Sequence, residues 1–223
     1  VLKTMALLTG FLLFGLSGCV AIMPPDLPAR NPQPGDLLLD ASFEPGVRSN
    51  DDWQEFSVDF AALSVVNGTY QARLTRVNYI WGLYQAQTYS NVIVEADALL
   101  ISADDQALYG VRCRASVANP ANGYYFMISG DGNYSIRYGA GNAIDPLVKW
   151  QASGAIRRGR QPNTLRAICD GDYLALYING EFVAEVTDTR YREGYTGIAL
   201  ALPPSGGDVA EVAYERLRVW SVR

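Results

Sequence analysis

Between Asn163 and Val186 the chain reads NTLRAICDGDYLALYINGEFVAEV, and no other stretch limits the fold as strongly. Asp170-Gly171 separates the run Leu165–Cys169 from Tyr173–Ile178, and Asn179-Gly180 separates that run from Phe182–Val186. Asp-Gly and Asn-Gly are the preferred pairs for two-residue hairpin turns, whose central residues take positive φ. In the first run Leu165, Ala167 and Cys169 fall on one face, with Arg166 and Ile168 on the other. That is the period of a strand with one face buried. The stretch predicts three short strands in an antiparallel meander.

The rest of the chain reads as more of the same. Asp36–Phe43 predicts a strand closed by Glu44-Pro45-Gly46, and Val65–Thr75 a hairpin through Asn67-Gly68. Trp53, Phe56 and Phe60 are large anchors in an irregular region. Strands are expected at Tyr79–Tyr84, Val92–Ile101, Tyr109–Ser116, Tyr124–Ser129 and Tyr134–Tyr138. Trp150–Ile156 reads as a crossover loop, and Thr196–Leu202 and Val209–Val222 close the chain as strands. About twelve strands at 8–12-residue spacing, with no helical period, predict a single all-β, antiparallel two-sheet sandwich over residues 36–223.

Charge and composition exclude several functions. A net charge of −5 is unsuited to nucleic acid, whose phosphates call for a basic surface. The sequence contains no histidine, which removes the Ser-His-Asp arrangement and the commonest zinc ligand. No zinc or other metal site is expected.

The N-terminal end carries an address. Lys3 is followed by a charge-free run, Met5–Met23, that contains Leu16-Ser17-Gly18-Cys19. This resembles the lipobox of bacterial lipoproteins, in which the cysteine is lipidated after cleavage. Residues 1–23 are therefore expected to be a lipoprotein signal with lipid on Cys19, or alternatively an uncleaved membrane anchor. An apolar core of about ten residues suits a signal segment better than a full span of roughly 20. Residues 24–35 hold five prolines and read as a semi-rigid linker. The expected location is the extracytoplasmic face of a bacterial membrane, at the cell surface or in the periplasm.

Cys113 and Cys169 remain once Cys19 is assigned. In an exported chain they are expected to form a disulfide, and alternation turns both toward the core. Asn67-Gly-Thr69 and Asn133-Tyr-Ser135 match a glycosylation pattern but read here as turn residues.

LLLDASFEPG, VIVEADALL, YGVRCRAS, YYFMISGDGNYSIRY, the NTLRAICDGDYLALYING run, GYTGIAL and the closing AYERLRVW together look like a known jelly roll. The chain from Asp36 to Arg223 resembles the concanavalin A-like sandwich of laminin-G-like and 3-keto-disaccharide hydrolase-type domains. That fold hosts lectins, glycosidases and structural modules, so it constrains function only weakly.

The resemblance implies three kinds of chemistry to look for. Laminarinase-type glycosidases of this fold carry a Glu-x-Asp-x-Glu strand, and Glu95-Ala96-Asp97 matches its beginning. The third position is Leu99, so the acid/base is missing and no catalytic residue is expected. Calcium, common in relatives, could draw on Asp104-Asp105, Asp131, Asn133, Asp170, Asp172 and Asp208. Each of these is also turn chemistry, so no cofactor is expected beyond the lipid.

Sugar binding needs aromatic platforms and planar donors. By alternation Arg112, Arg114, Tyr125, Arg137, Arg166 and Tyr177 point away from the core, with Trp150 in a nearby loop and Trp81 and Tyr84 as further candidates. If their strands are neighbours, one sheet face gathers arginines and aromatics suited to hydroxyls and sugar rings. The same residue types also build protein interfaces. The short basic cluster Arg157-Arg158-Gly159-Arg160 is read as a loop feature. The expected function is a membrane-anchored, extracytoplasmic, non-catalytic binding or interaction module, with carbohydrate as the candidate ligand. The alternative is an accessory subunit of a membrane protein complex, with glycoside hydrolysis third.

Overall fold

The computed structural model describes residues 28–47 and 51–223. Cys19, the signal or anchor at 1–23 and the start of the linker lie outside the described residues. The described chain folds into fifteen strands and no α-helix. They are β1 (Pro34–Ala41), β2 (Phe56–Val58), β3 (Ala61–Val66), β4 (Thr69–Leu74), β5 (Asn78–Tyr89), β6 (Val92–Leu100), β7 (Leu108–Ala115) and β8 (Gly123–Ser129). There follow β9 (Asn133–Ala140), β10 (Ala143–Ala152), β11 (Pro162–Asp170), β12 (Tyr173–Ile178), β13 (Glu181–Thr187), β14 (Gly194–Leu202) and β15 (Ala210–Val222).

Two antiparallel sheets face each other. The nine-stranded sheet runs β13-β12-β11-β6-β15-β4-β3-β2, with β1 also paired to β15. The six-stranded sheet runs β10-β9-β8-β7-β14-β5. Period-two alternation fills the space between them. Val94, Ala96, Ala98 and Leu100 of β6 point inward, as do Tyr109, Val111 and Cys113 of β7 and Tyr124, Phe126 and Ile128 of β8. Each large apolar side chain buried this way contributes about 1.5–3 kcal/mol.

Two covalent or polar pins cross that core. Cys113 and Cys169 are disulfide-bonded, joining β7 of one sheet to β11 of the other with Cα atoms 6.8 Å apart. The Tyr214 hydroxyl, from β15, reaches the opposite sheet. It accepts from the Gly110 N–H at 3.1 Å and faces the carbonyls of Gly110 (2.9 Å) and Ala199 (3.1 Å). Gly110 has no substitute, because a Cβ there would lie 1.9 Å from the Phe126 carbonyl oxygen.

The hairpin turns follow the sequence with one shift. Asn67-Gly68 and Asn179-Gly180 have positive φ at both positions (50° and 77°; 52° and 84°), as the turn type with two left-handed residues requires. At the meander's first turn Asp170 still pairs with Tyr173, so the loop is Gly171-Asp172 rather than Asp170-Gly171. There Gly171 has φ 58° and Asp172 is not left-handed, the pattern with glycine at the first central position.

Two other expectations are corrected. Trp150 lies in β10, not in a crossover loop, and that strand ends at Ala152. Its pairing with β9 is broken by two register shifts and contains Pro146, so it shows no clean alternation. An edge strand tolerates both irregularities because one side of its backbone has no ladder to complete. The linker, expected to run free through residue 35, is already strand from Pro34. Its preceding residues lie along the nine-stranded sheet. The Ala29 N–H donates to Glu185 Oε2 at 2.9 Å, the Arg30 guanidinium covers the Tyr173 ring, and Gln33 pairs with Arg223.

Candidate carbohydrate-binding face

The candidate residues separate onto three places. Arg112, Tyr125 and Arg137 stand side by side on the outward face of the six-stranded sheet, in register across β7, β8 and β9. The Arg112 guanidinium stacks on the Tyr125 ring, 3.9 Å from its centroid, and lies 5.4 Å from that of Trp81. Arg137 lies 5.9 Å from the Trp150 ring. Trp81 joins the group from β5, as its residue type suggested.

Arg166 and Tyr177 belong to the other sheet. They are paired across β11 and β12, and Arg166 faces Glu95 on β6. Glu95 is only 6% exposed and accepts from Arg166 at 2.7 Å and Arg218 at 2.8 Å. Asp97 accepts from the Thr164 hydroxyl at 2.7 Å. Glu95 and Asp97 therefore lie on a central strand, Glu95 clamped by two arginines and Asp97 held by Thr164. A cleft of about 260 Å³ borders Glu95, Arg157, Thr164, Arg166 and Asn179.

Arg114 is a fastener. Period-two alternation would point it outward beside Arg112, but its φ is 53° and the β7–β14 register slips at this position. A bulge of this kind re-aims the side chain. Its guanidinium, 1% exposed, donates to the carbonyls of Ser90, Gly171 and Tyr191 and to Asn91 Oδ1. It ties the end of the six-stranded sheet to the first turn of the meander. Tyr84 is also internal, 9% exposed and bridged to Trp53.

The outward face of the six-stranded sheet is dished. Tyr79 from β5 and Ile144 from β10 both pack on one cluster, Leu108, Tyr125, Met127, Ala199 and Ala201. These two strands are the opposite edges of the sheet. At about 4.8 Å per strand a flat sheet would hold them roughly 24 Å apart. Instead, both edges line one cleft of about 300 Å³, formed by Asn78, Tyr79, Trp81, Ala121, Asn142 and Ile144. Beside Tyr79 and Trp81 the neighbouring strand β14 carries the small residues Ala199 and Ala201 on this side, which leaves room for the curl.

Two further clefts flank it. One of about 490 Å³ lies beyond the β5 edge, lined by Gln54, Glu55, Phe56, Tyr79, Trp81 and Gln85. The other, about 170 Å³, lies at the far end against Trp150, with Gln106, Ser129, Asp131, Asn133 and Ser205. Burial works to raise the Asp131 carboxyl, but hydrogen bonds from Ser129, Asn133 and Gln106 outweigh it and hold the group below the usual range. Trp150 is 36% exposed, and Tyr79 and Trp81 are half-buried. This face therefore offers aromatic platforms beside amides and a hydrogen-bonding carboxylate, the groups that hold sugar rings and hydroxyls.

Tyr79, Asn142, Ile144 and Gln106 were not singled out by the sequence. Tyr79 was recoverable, since it stands two residues from Trp81 on the same strand face. Asn142 and Ile144 meet the β5 edge only because the sheet curls, and Gln106 reaches the far cleft from the loop between β6 and β7. Among the described residues no group of three or more acidic or thiol side chains converges as a metal site.

No family sequence model matches the chain, and no curated protein matches it in sequence. Solved structures do resemble it. The carbohydrate binding module CBM66 from Bacillus subtilis superimposes with a TM-score of 0.63 at 15% identity, over 76% of this chain and 96% of that one. A protein of unknown function with a galectin-like fold, also from Bacillus subtilis, gives 0.62 at 14% identity, over 86% and 99%. The catalytic domain of an endo-1,3-beta-glucanase (laminarinase) from Thermotoga petrophila gives 0.58 at 10% identity, over 86% and 98%. With its two facing antiparallel sheets, the protein is a jelly-roll sandwich of the concanavalin A-like kind.

Proposed function

We propose that this protein is a non-catalytic carbohydrate-binding module, held by its N-terminal segment at the outer side of a bacterial membrane. The observation that carries the reading is the dished face, where Tyr79 and Trp81 and, at the far end, Trp150 flank clefts supplied with amide and carboxylate groups. A structural neighbour named as a carbohydrate binding module supports it, and so does the fit of such a face to a sugar chain. Neighbours that are glucanases raise the catalytic alternative. Against it stand Leu99 at the missing acid/base position and the two arginines locked on Glu95. The disulfide suits an oxidising compartment, in keeping with the lipobox and a location outside the cytoplasm.

Screening the folded domain against immobilised glycans, with Trp81→Ala and Trp150→Ala beside it, tests the proposal. Binding that the tryptophan variants lose supports it. Binding retained by both variants, or release of reducing ends from a bound glycan, would overturn it. A second reading, docking within a membrane protein complex, draws on the exposed Phe56 and Val58 of β2 and Leu37 and Leu38 of β1. It predicts membrane subunits that co-purify and are lost when those positions are made polar.

A further inference from the structure

The row at the centre of the dished face, Arg112–Tyr125–Arg137, holds two guanidinium groups and no carboxylate. Among the described residues neither arginine forms an ion pair, while Arg166, Arg216 and Arg218 on the other sheet all do. Arg112 is completely buried. It donates to the carbonyls of Pro120 (2.7 Å) and Asn122 (3.0 Å), and its Nε has no partner. Burial lowers its pKa to about 10, which leaves it charged at neutral pH. Arg137 donates to the Ile144 carbonyl at 2.6 Å, and its Nε is likewise buried without a partner.

Carbonyls satisfy hydrogen bonds but do not cancel a charge, and a cation kept out of water without a counter-ion is costly. Both arginines back the same cleft. Arg112 lies against Trp81 and under the 120–122 carbonyls, Arg137 holds Ile144, and Trp81, Ala121 and Ile144 all line that cleft. No charged side chain is among its lining residues. In a chain of net charge −5, two cations thus stand behind one cleft with no protein carboxylate paired to either among the described residues.

We infer that the glycan taken by this face is anionic, with a carboxylate or sulfate group of one sugar unit seated in the cleft between Trp81 and Ile144. The inference rests on the carbohydrate-binding reading and adds the ligand's charge to it. Neither guanidinium lines the cleft, so both act on the anion through space, and a low-dielectric wall strengthens that pull over a distance that would be screened in water.

Calorimetry on the folded domain at low and high salt tests it. The probes are an oligogalacturonate, the same oligomer as its neutral methyl ester, a sulfated galactan oligomer and its desulfated form. At least a tenfold preference for one charged member over its neutral partner is expected, shrinking as salt is raised. Arg137→Gln should remove that preference and Arg137→Lys should keep most of it. Arg137 is used because it is only part-buried, so its variants are expected to fold, and near-ultraviolet circular dichroism verifies this. Neutral and charged members binding equally would overturn the inference and leave the carbohydrate reading standing. Failure of all four probes, and of neutral gluco-oligosaccharides, to bind at millimolar concentration would overturn both. Binding of neutral gluco-oligosaccharides alone would overturn only the inference about charge.

Discussion

The two sheets carry comparable rows of side chains on their outward faces, and the rows are built oppositely. Across the nine-stranded sheet the register places Tyr177, Arg166, Glu95, Arg218 and Asp40 on five adjacent strands. Charge alternates along it, so each arginine has a carboxylate beside it. Asp40 is held below the usual carboxylate range, chiefly by its hydrogen bond from Arg216. The row is flanked by Ile93, Ile168, Tyr173 and Ala175, a cluster on which Trp220 also packs. Across the six-stranded sheet the matching row is Arg112, Tyr125, Arg137 and Pro146, with a tyrosine and a proline where the other row has carboxylates. One face satisfies itself. The other row is left open, its arginines without carboxylates, although both draw on the same residue types.

The comparison can be broken most heavily at the joint between the sheets. Replacing Cys113 and Cys169 with alanine should cost about 3–4 kcal/mol, since the bridge closes a loop of 56 residues. Chemical denaturation would measure this, and the native state of the variant should still bind the parent's glycan. Next comes the closed face. Glu95→Ala strands Arg166 and Arg218 without their shared carboxylate and should cost about 2–3 kcal/mol. The figure lies below that for a fully buried pair because the Arg166 and Arg218 side chains remain 38% and 27% exposed. Glycan affinity should not change, because Glu95 lies on the sheet opposite the dished face.

On the open face the order of effects reverses. Trp81→Ala should weaken glycan binding about tenfold or more, roughly 1.4 kcal/mol, with a smaller loss of stability. The smallest expected effect is at the far cleft. The folded Asp131 carboxyl titrates below its unfolded value of about 3.8, so its contribution to stability is complete above that pH and is lost as pH falls through the folded pKa. Asp131→Asn should therefore lower Tm near neutral pH, and the gap from the parent should narrow progressively once acidification passes below about pH 3.8. A gap that widened in acid would contradict the hydrogen-bonding role given to Asp131.

The strands that bury one face were legible from residue type. Val94, Ala96 and Ala98, or Leu165, Ala167 and Cys169, alternate cleanly, and the same rule turned both cysteines inward, while their pairing followed from the export signal and the cysteine count. Where the backbone leaves that rule, the sequence misled. Arg114 reads as an outward neighbour of Arg112, but a single left-handed residue turns it into a fastener. Strand β10 was hidden by Pro146 and by slips in register that only an edge strand can carry. The partition of Arg112 and Arg166 onto different sheets depends on strand order, which alternation does not encode. The closeness of Tyr79 and Ile144 depends on curvature, which arises only once six strands are assembled.

The chain's four tryptophans allow a direct test of the contrast between faces. Trp81 and Trp150 stand on the open face, while Trp220 packs against the closed one. Indole N–H resonances followed by two-dimensional nuclear magnetic resonance during titration with a binding oligosaccharide would report each face separately. The Trp81 and Trp150 signals should move with saturation while Trp220 stays fixed. Movement of Trp220 with Trp81 and Trp150 unchanged would place the ligand on the nine-stranded sheet and contradict the binding role given to the open face.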